Sequence, residues 1–311
     1  MLVPSLVAAC GGKGGPASAG APTPAALPPV VVSPLRAMRL NETVLNFRLA
    51  GTSGTPVVFV HGSVGGLDDW NAQVLAFART HRVVVYSRRY HPPNAPQNDG
   101  RTYSPELHAE DLATFLQTLA LGPAHIVGSD YGAYIALFLA REHPDLVRSL
   151  VLGEPPIVPF LLRSPGGDTL RRTLIAATLD PARAAFARGD SVGALRLFVD
   201  GVTDGPGTFN ALSATAQARM VGHAFELRRE MLADRQEYQP ALDCKLLGRL
   251  PTQALVLQGE RSARMYHIIA SELAHCLQSD TVITIPGAGH RLQTTSPAAY
   301  NQTVLRFVDM H

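Results

Sequence analysis

Val127-Gly128-Ser129-Asp130-Tyr131-Gly132-Ala133 joins a short β-rich run, His125 to Val127, to an apolar stretch, Tyr131 to His143, that stops before Pro144. This order predicts a strand that turns directly into a helix lying against a sheet. Glycines two places before and two places after a central residue mark a turn too tight for side chains at those positions. Gly128 and Gly132 bracket Asp130 in this way. Centring the turn on Ser129 would put Val127 and Tyr131 at the crowded positions, so the reading presents Asp130, and not Ser129, at the tip.

Working outward from this turn, short apolar runs alternate with longer amphipathic stretches. Val57 to Val60, Val83 to Tyr86, His125 to Val127, Ser149 to Leu152, Ala254 to Leu257 and Thr281 to Ile285 are bounded by Gly, Pro or charged residues and suit buried strands. The pattern is that of an α/β fold with a mostly parallel sheet flanked by helices. It is interrupted between Pro155 and about Gly248, where Leu170 to Ala177, Pro181 to Ala187, Val192 to Phe198 and Ala214 to Leu232 suit helices. The expected organisation is a core of residues 37–154 and 250–311, with a helical cap of residues 155–249 inserted between two adjacent strands.

Lys and Arg number 27 and Asp and Glu 25 among 311 residues, giving a net charge of +2. No clustered basic face for nucleic acid is expected from this balance. Hydrophobic residues make up 46%, and no run of about 18 apolar residues that would form a spanning helix occurs. Cys10, Cys244 and Cys276 are too few and too scattered for a disulfide framework or a thiolate metal site. Leu6-Val7-Ala8-Ala9-Cys10 resembles a bacterial lipid-attachment box, and residues 11–35 would make a low-complexity tether. Only nine residues precede Cys10, none of them Lys or Arg, whereas a signal has a basic segment and a longer apolar stretch. Residues 1–36 are therefore either a disordered terminus of a cytoplasmic protein or the tether of an envelope lipoprotein whose start lies upstream.

The chemistry-bearing residues gather at the ends of strand runs. His61-Gly62-Ser63 follows the first strong run, which brings the Ser63 amide beside the elbow as one arm of an anion hole, with the Tyr131 amide as the other. Pro286-Gly287-Ala288-Gly289-His290 follows the last run, and His290 is the best base among eleven histidines. His223, His267 and His275 fall in helical patterns and read as surface or cap residues. A histidine base needs an orienting carboxylate. Ser262 stands where an Asp would be expected after the run Ala254 to Leu257, and Glu260 is close by. Glu154, at the end of the preceding strand in Gly153-Glu154-Pro155-Pro156, is the preferred acid, with Glu260 the alternative. No ligand cluster or phosphate loop stands out, so neither a metal nor an organic cofactor is expected.

Together the HGS turn, the GSDYGA elbow, the cap and GAGH resemble the α/β-hydrolase superfamily from Val44 to Val308. An Asp at the elbow is similar to epoxide hydrolases and haloalkane dehalogenases, whose elbows commonly read GHDWG or GHDRG. The flanking text LVLGEPP also resembles family members whose elbow residue is Ser. The resemblance implies an enzyme in which Asp130 attacks a small hydrophobic organic substrate to form an alkyl ester, and His290 activates the water that hydrolyses it. Two departures separate the subgroups. Ser63 and Tyr131 replace the Asn and Trp that hold halide in dehalogenases. Val64 replaces the Pro of the epoxide hydrolase HG-x-P turn, and Tyr238 is the single tyrosine between Pro155 and Gly248, where two cap tyrosines are usual. Trp70 either lines the pocket or packs. An epoxide hydrolase is the leading expectation. Dehalogenation of haloalkanes or haloacids comes next, then a non-catalytic ligand-binding homologue, then cofactor-free lyase or oxygenase chemistry.

Overall fold

The computed structural model describes residues 1–2, 30–203, 205–279 and 281–311. Eight strands form one sheet in the order β1-β2-β4-β3-β5-β6-β7-β8: β1 Arg36–Leu40, β2 Thr43–Ala50, β3 Pro56–Val60, β4 Arg82–Tyr86, β5 Ala124–Ser129, β6 Val147–Gly153, β7 Gln253–Gly259 and β8 Val282–Ile285. The pairings β1–β2 and β2–β4 are antiparallel, and the rest are parallel. All six strand runs read from the sequence are present. The hairpin of β1 and β2 was not among them, because β1 (RAMRL) is a largely exposed edge strand without an apolar run.

Side-chain alternation divides the core. Val58, Val60, Ile126, Leu150 and Leu152 point to one face, and Val57, Phe59, Val127 and Val151 to the other. The first face is covered by α2 (Pro105–Thr118) and α3 (Tyr131–Glu142), whose buried residues belong to its cluster. The second is covered by α1 (Asn71–Phe77) and α14 (Pro297–Met310). Ten consecutive residues of α3, Tyr131 to Ala140, are buried, because this helix has sheet on one side and α2 and cap residues on the others. An ordinary surface helix would show a polar stripe.

Between β6 and β7 the described residues hold helices alone: α4 Gly167–Leu174, α5 Asp180–Ala187, α6 Ser191–Val202, α7 Thr208–Ala211, α8 Ala214–Gly222, α9 Ala224–Leu232, α10 Arg235–Tyr238 and α11 Cys244–Leu247. The sequence pattern ran Ala214 to Leu232 as one helix. The chain breaks at His223, which ends α8 and precedes α9. Beyond β7 come α12 (Arg264–Cys276) and α13 (Leu292–Thr295). Cys244 and Cys276 form a disulfide with Cα atoms 4.8 Å apart, which ties α11 to the end of α12. Their 32-residue separation gave no local sign of this pairing.

The tight turn after β5 brings α3 against the end of β3, where a Cβ at Gly132 would overlap the Val60 carbonyl oxygen. Backbone cannot swing aside as a flexible side chain would. Gly132→Ala is expected to cost about 3 kcal/mol or more in urea unfolding. Gly100→Ala, at φ +70 but in open space, is expected to cost only about 1 kcal/mol.

Candidate active site

β5 ends at Ser129, α3 begins at Tyr131, and Asp130 between them has φ 52 and ψ −128. A non-glycine residue in this region costs of order 1–3 kcal/mol and persists where its surroundings hold it. Here the Asp130 amide donates to the Gly153 carbonyl at 2.7 Å, and the Asp130 carbonyl accepts from the Ala133 amide at 2.9 Å. The side chain projects beyond the sheet edge, where the Ser63 amide donates to Asp130 Oδ2 at 2.9 Å. Gly62 allows this approach, since a Cβ there would meet the same carboxylate. The Tyr131 N–H, first in α3, has no carbonyl of its own helix to bond.

Asp130 Oδ1 lies 3.6 Å from His290 Nε2. His290 Nδ1 donates to Glu154 Oε2 at 2.7 Å, and Glu154 Oε1 accepts from the Gly259 amide at 2.7 Å. Both oxygens of the buried Glu154 are thus committed, and its own backbone is held at φ 47 at the end of β6. Glu260, the alternative acid, is exposed and accepts from the Gly287 amide at 2.7 Å, so it braces the histidine loop without touching His290. A carboxylate at a strand-to-helix elbow therefore faces a histidine backed by a second carboxylate, at the carboxyl edge of a mostly parallel sheet.

A family model described as alpha/beta hydrolase fold matches residues 55–297. The chain belongs to the α/β-hydrolase fold family. A non-heme chloroperoxidase of Streptomyces lividans is 29% identical over 267 residues, covering 82% of this chain and 92% of the relative. A bifunctional esterase/perhydrolase of Acinetobacter calcoaceticus is 25% identical over 272 residues, covering 83% and 93%. Among solved structures, the epoxide hydrolase CorEH superposes with a TM-score of 0.64 at 16% identity over 89% of this chain and 98% of its own, a likeness of fold alone.

The Ser63 loop of this hydrolase is anchored from below. The fully buried Arg88 donates through Nε to the His61 carbonyl at 2.9 Å and through Nη2 to the Gly62 carbonyl at 3.0 Å, and the His61 ring accepts the Arg88 amide at 3.0 Å. From above, Glu226 Oε2 on α9 accepts the Val64 amide at 3.3 Å, while Oε1 accepts the Tyr103 hydroxyl at 2.8 Å. Glu230, one turn further, is also buried. Burial first, then the Glu226 charge, pushes its carboxyl well above the usual carboxylate range. Sequence reasoning missed Arg88, Glu226 and Glu230, because the groups they bond, His61 and Gly62 for the first, Val64 and Tyr103 for the second and Tyr103 for the third, lie 26 or more residues away.

Two small cavities, about 50 and 20 Å³, share Ser63, Asp130, Phe198 and Val202 in their walls. Tyr238 and Tyr266 line the second. Tyr266, on α12, stacks on His290 with ring centres 4.2 Å apart, donates to the Val202 carbonyl at 2.9 Å and lies 3.4 Å from His290 Nε2. It lies outside the Pro155–Gly248 segment where cap tyrosines were expected, because α12 comes after β7. The Tyr131 phenol does not reach either cavity, since its hydroxyl donates to the Tyr238 carbonyl at 2.9 Å. Trp70 lines neither cavity. It packs against Phe59 and Tyr300 on the opposite face of the sheet, because β3 turns Phe59 that way. Ser129 Oγ donates to Gln293 Oε1 at 3.2 Å. His223, read as a surface or cap residue, is buried at the α8–α9 break in the cap segment. Cys10 lies outside the described residues. No helix of the described residues is long and apolar enough to cross a membrane.

Burial alone would lower the His290 pKa, but the hydrogen bonds and charges of Asp130 and Glu154 outweigh it and bring it up to about 9. The folded value stands above the unfolded one, about 6.5. The stabilisation from this ion pair is therefore full below about pH 6.5 and is lost as pH rises through about 9. Urea unfolding from pH 6.5 to 9.5 should show wild type losing roughly 2–3 kcal/mol more than His290→Gln. Parallel curves would remove the ion pair from the resting site.

Proposed function

We propose that this hydrolase opens small epoxides through an alkyl ester on Asp130. The observation that carries the reading is the division of labour within the Asp130 carboxylate. Oδ2 takes the Ser63 amide, and Oδ1 stands free of that bond, 3.6 Å from His290 Nε2. In the first step Oδ1 attacks a ring carbon, the carbon–oxygen bond breaks, and the leaving oxygen takes a proton from a phenol. Tyr238 is the donor best placed for this, since it lines the cavity with Asp130 and Ser63. Burial, then the Glu230 charge, holds its hydroxyl well above the ordinary phenol pKa, so it enters the step protonated.

In the second step water attacks the ester carbon, and the oxygen that becomes negative is Oδ2, which already accepts the Ser63 amide, with the Tyr131 amide as the second donor of the hole. His290 takes the proton of that water. Its resting proton has by then passed to the phenolate left on Tyr238, because esterification removes the Asp130 charge, and with it the largest of the influences that raise the histidine. Glu154 keeps the ring oriented throughout. Collapse of the intermediate releases a diol and restores the carboxylate. An oxygen leaving group is favoured over a halide because phenols line the cavity, while the indole of Trp70 lies on the far side of the sheet.

Mixing His290→Gln with styrene oxide should leave alkylation intact and stall hydrolysis, so mass spectrometry should find the adduct on the Asp130 peptide. An adduct on Ser63 or Ser129 would refute the assignment. Absence of any diol from wild type across several epoxides would favour a ligand-binding homologue without turnover.

Tyr238→Phe is expected to lower kcat/KM for the epoxide by about 10²-fold while leaving bromide release from a short bromoalkane within about threefold, since bromide leaves without a proton. Equal losses for both substrates would remove Tyr238 as the proton donor.

A further inference from the structure

Beside the Asp130 site, but forming no part of it, lies a second buried group: His91 after β4, His223 at the α8–α9 break and Glu226 in the first turn of α9. One nitrogen from each ring and a Glu226 carboxylate oxygen lie within 4.8 Å of one another. His91 Nδ1 is 2.9 Å from the Gly65 carbonyl oxygen. A carbonyl only accepts, so Nδ1 carries the hydrogen, and Nε2 of the neutral ring presents a lone pair. That lone pair faces Glu226 Oε1 at 3.3 Å. Two acceptors so close repel unless a proton or a metal cation lies between them. His91 Nε2 and His223 Nδ1 are also buried without hydrogen-bond partners among the described residues, on residues 0% and 4% exposed. Buried polar atoms left unpaired in this way call for an explanation.

We propose that His91, His223 and Glu226 bind a divalent transition-metal ion of the zinc class, which fastens the cap segment to the core. An ion about 2.0–2.1 Å from its ligands in tetrahedral geometry sets them roughly 3.4 Å apart, close to the 3.3 Å between His91 and Glu226. His223, within 4.8 Å of the other two, closes with a side-chain shift of at most about 1.4 Å. Outer partners that fix the ligands are in place: the Gly65 carbonyl for His91, and the Tyr103 hydroxyl and Val64 amide for Glu226. A cleft of about 400 Å³, lined by Gly66, Pro92 and Arg219, reaches His223 from outside. Glu226, buried, supplies negative charge against the ion and the nearby Arg88.

Two ligands come from the cap segment and one from the core. Glu226 also holds Val64, the neighbour of the Ser63 amide that grips Asp130. An ion here would therefore stiffen the anion-hole loop. The inference goes beyond the epoxide reading and does not rest on Asp130 as nucleophile.

The test takes the full chain, strips it with EDTA, dialyses it and titrates it with Zn²⁺ by calorimetry, with thermal melts alongside. One ion per chain at micromolar or tighter affinity, with Tm raised by several degrees, is expected. His223→Gln and Glu226→Gln should each weaken binding at least tenfold, and Asp130→Asn should bind as wild type. Co²⁺ loading of wild type gives a readout independent of any variant's folding, and should show the intense visible bands of tetrahedral coordination. The proposal is overturned by absence of saturable one-to-one binding, by wild-type affinity in either ligand variant, or by the weak spectrum of octahedral cobalt.

Discussion

The backbone at Asp130 is held where an L-residue is uncomfortable, and the rest of the site is arranged around that strain. With φ at 52 the carboxylate leaves the strand end and points across the sheet edge instead of down onto α3. The bond from the Asp130 amide to the Gly153 carbonyl ties the turn to the neighbouring strand. The missing side chains at Gly62, Gly128 and Gly132 let three backbone segments converge there. Loosening any one of them would let the carboxylate relax away from the Ser63 amide. A strained residue is tolerable only where packing on all sides leaves no alternative, and the ten buried residues of α3 provide that packing.

Charge is handled with similar economy. His290 sits between two carboxylates, one with both oxygens committed to fixed donors and one with an oxygen open to the cavity. Such a histidine rests protonated, yet its affinity for the proton depends on a group that the proposed reaction itself neutralises. Acid and base behaviour then follow the state of Asp130 in turn, without movement of the ring. Around the same cavity buried phenols keep their protons because burial opposes the phenolate.

What could be read from the sequence was what short-range order encodes. The strand runs, the elbow between Gly128 and Gly132 and the glycine loop before His290 are local patterns, and the sheet brings their ends together. Glu154 was legible because a strand-terminal carboxylate beside a histidine loop has one obvious neighbour. The β1–β2 hairpin escaped because an exposed edge strand lacks an apolar run. Trp70 was ambiguous because the strand alternation that turns it from the cap depends on Phe59. Arg88, Glu226 and the Cys244–Cys276 pair were illegible for another reason: their partners lie 26 to 162 residues away, and nothing in the local text marks them.

The tyrosines of α3 reach into the cap segment. The Tyr131 hydroxyl holds the Tyr238 carbonyl, and the Tyr134 hydroxyl holds that of Pro240. The residue whose amide flanks Asp130 is thus also the residue whose side chain fastens the returning cap strand of chain. For anyone re-engineering this protein, the cap is not an interchangeable lid. A transplanted segment must present two free carbonyls at the places of Tyr238 and Pro240, or it leaves two buried phenols without acceptors directly behind the elbow.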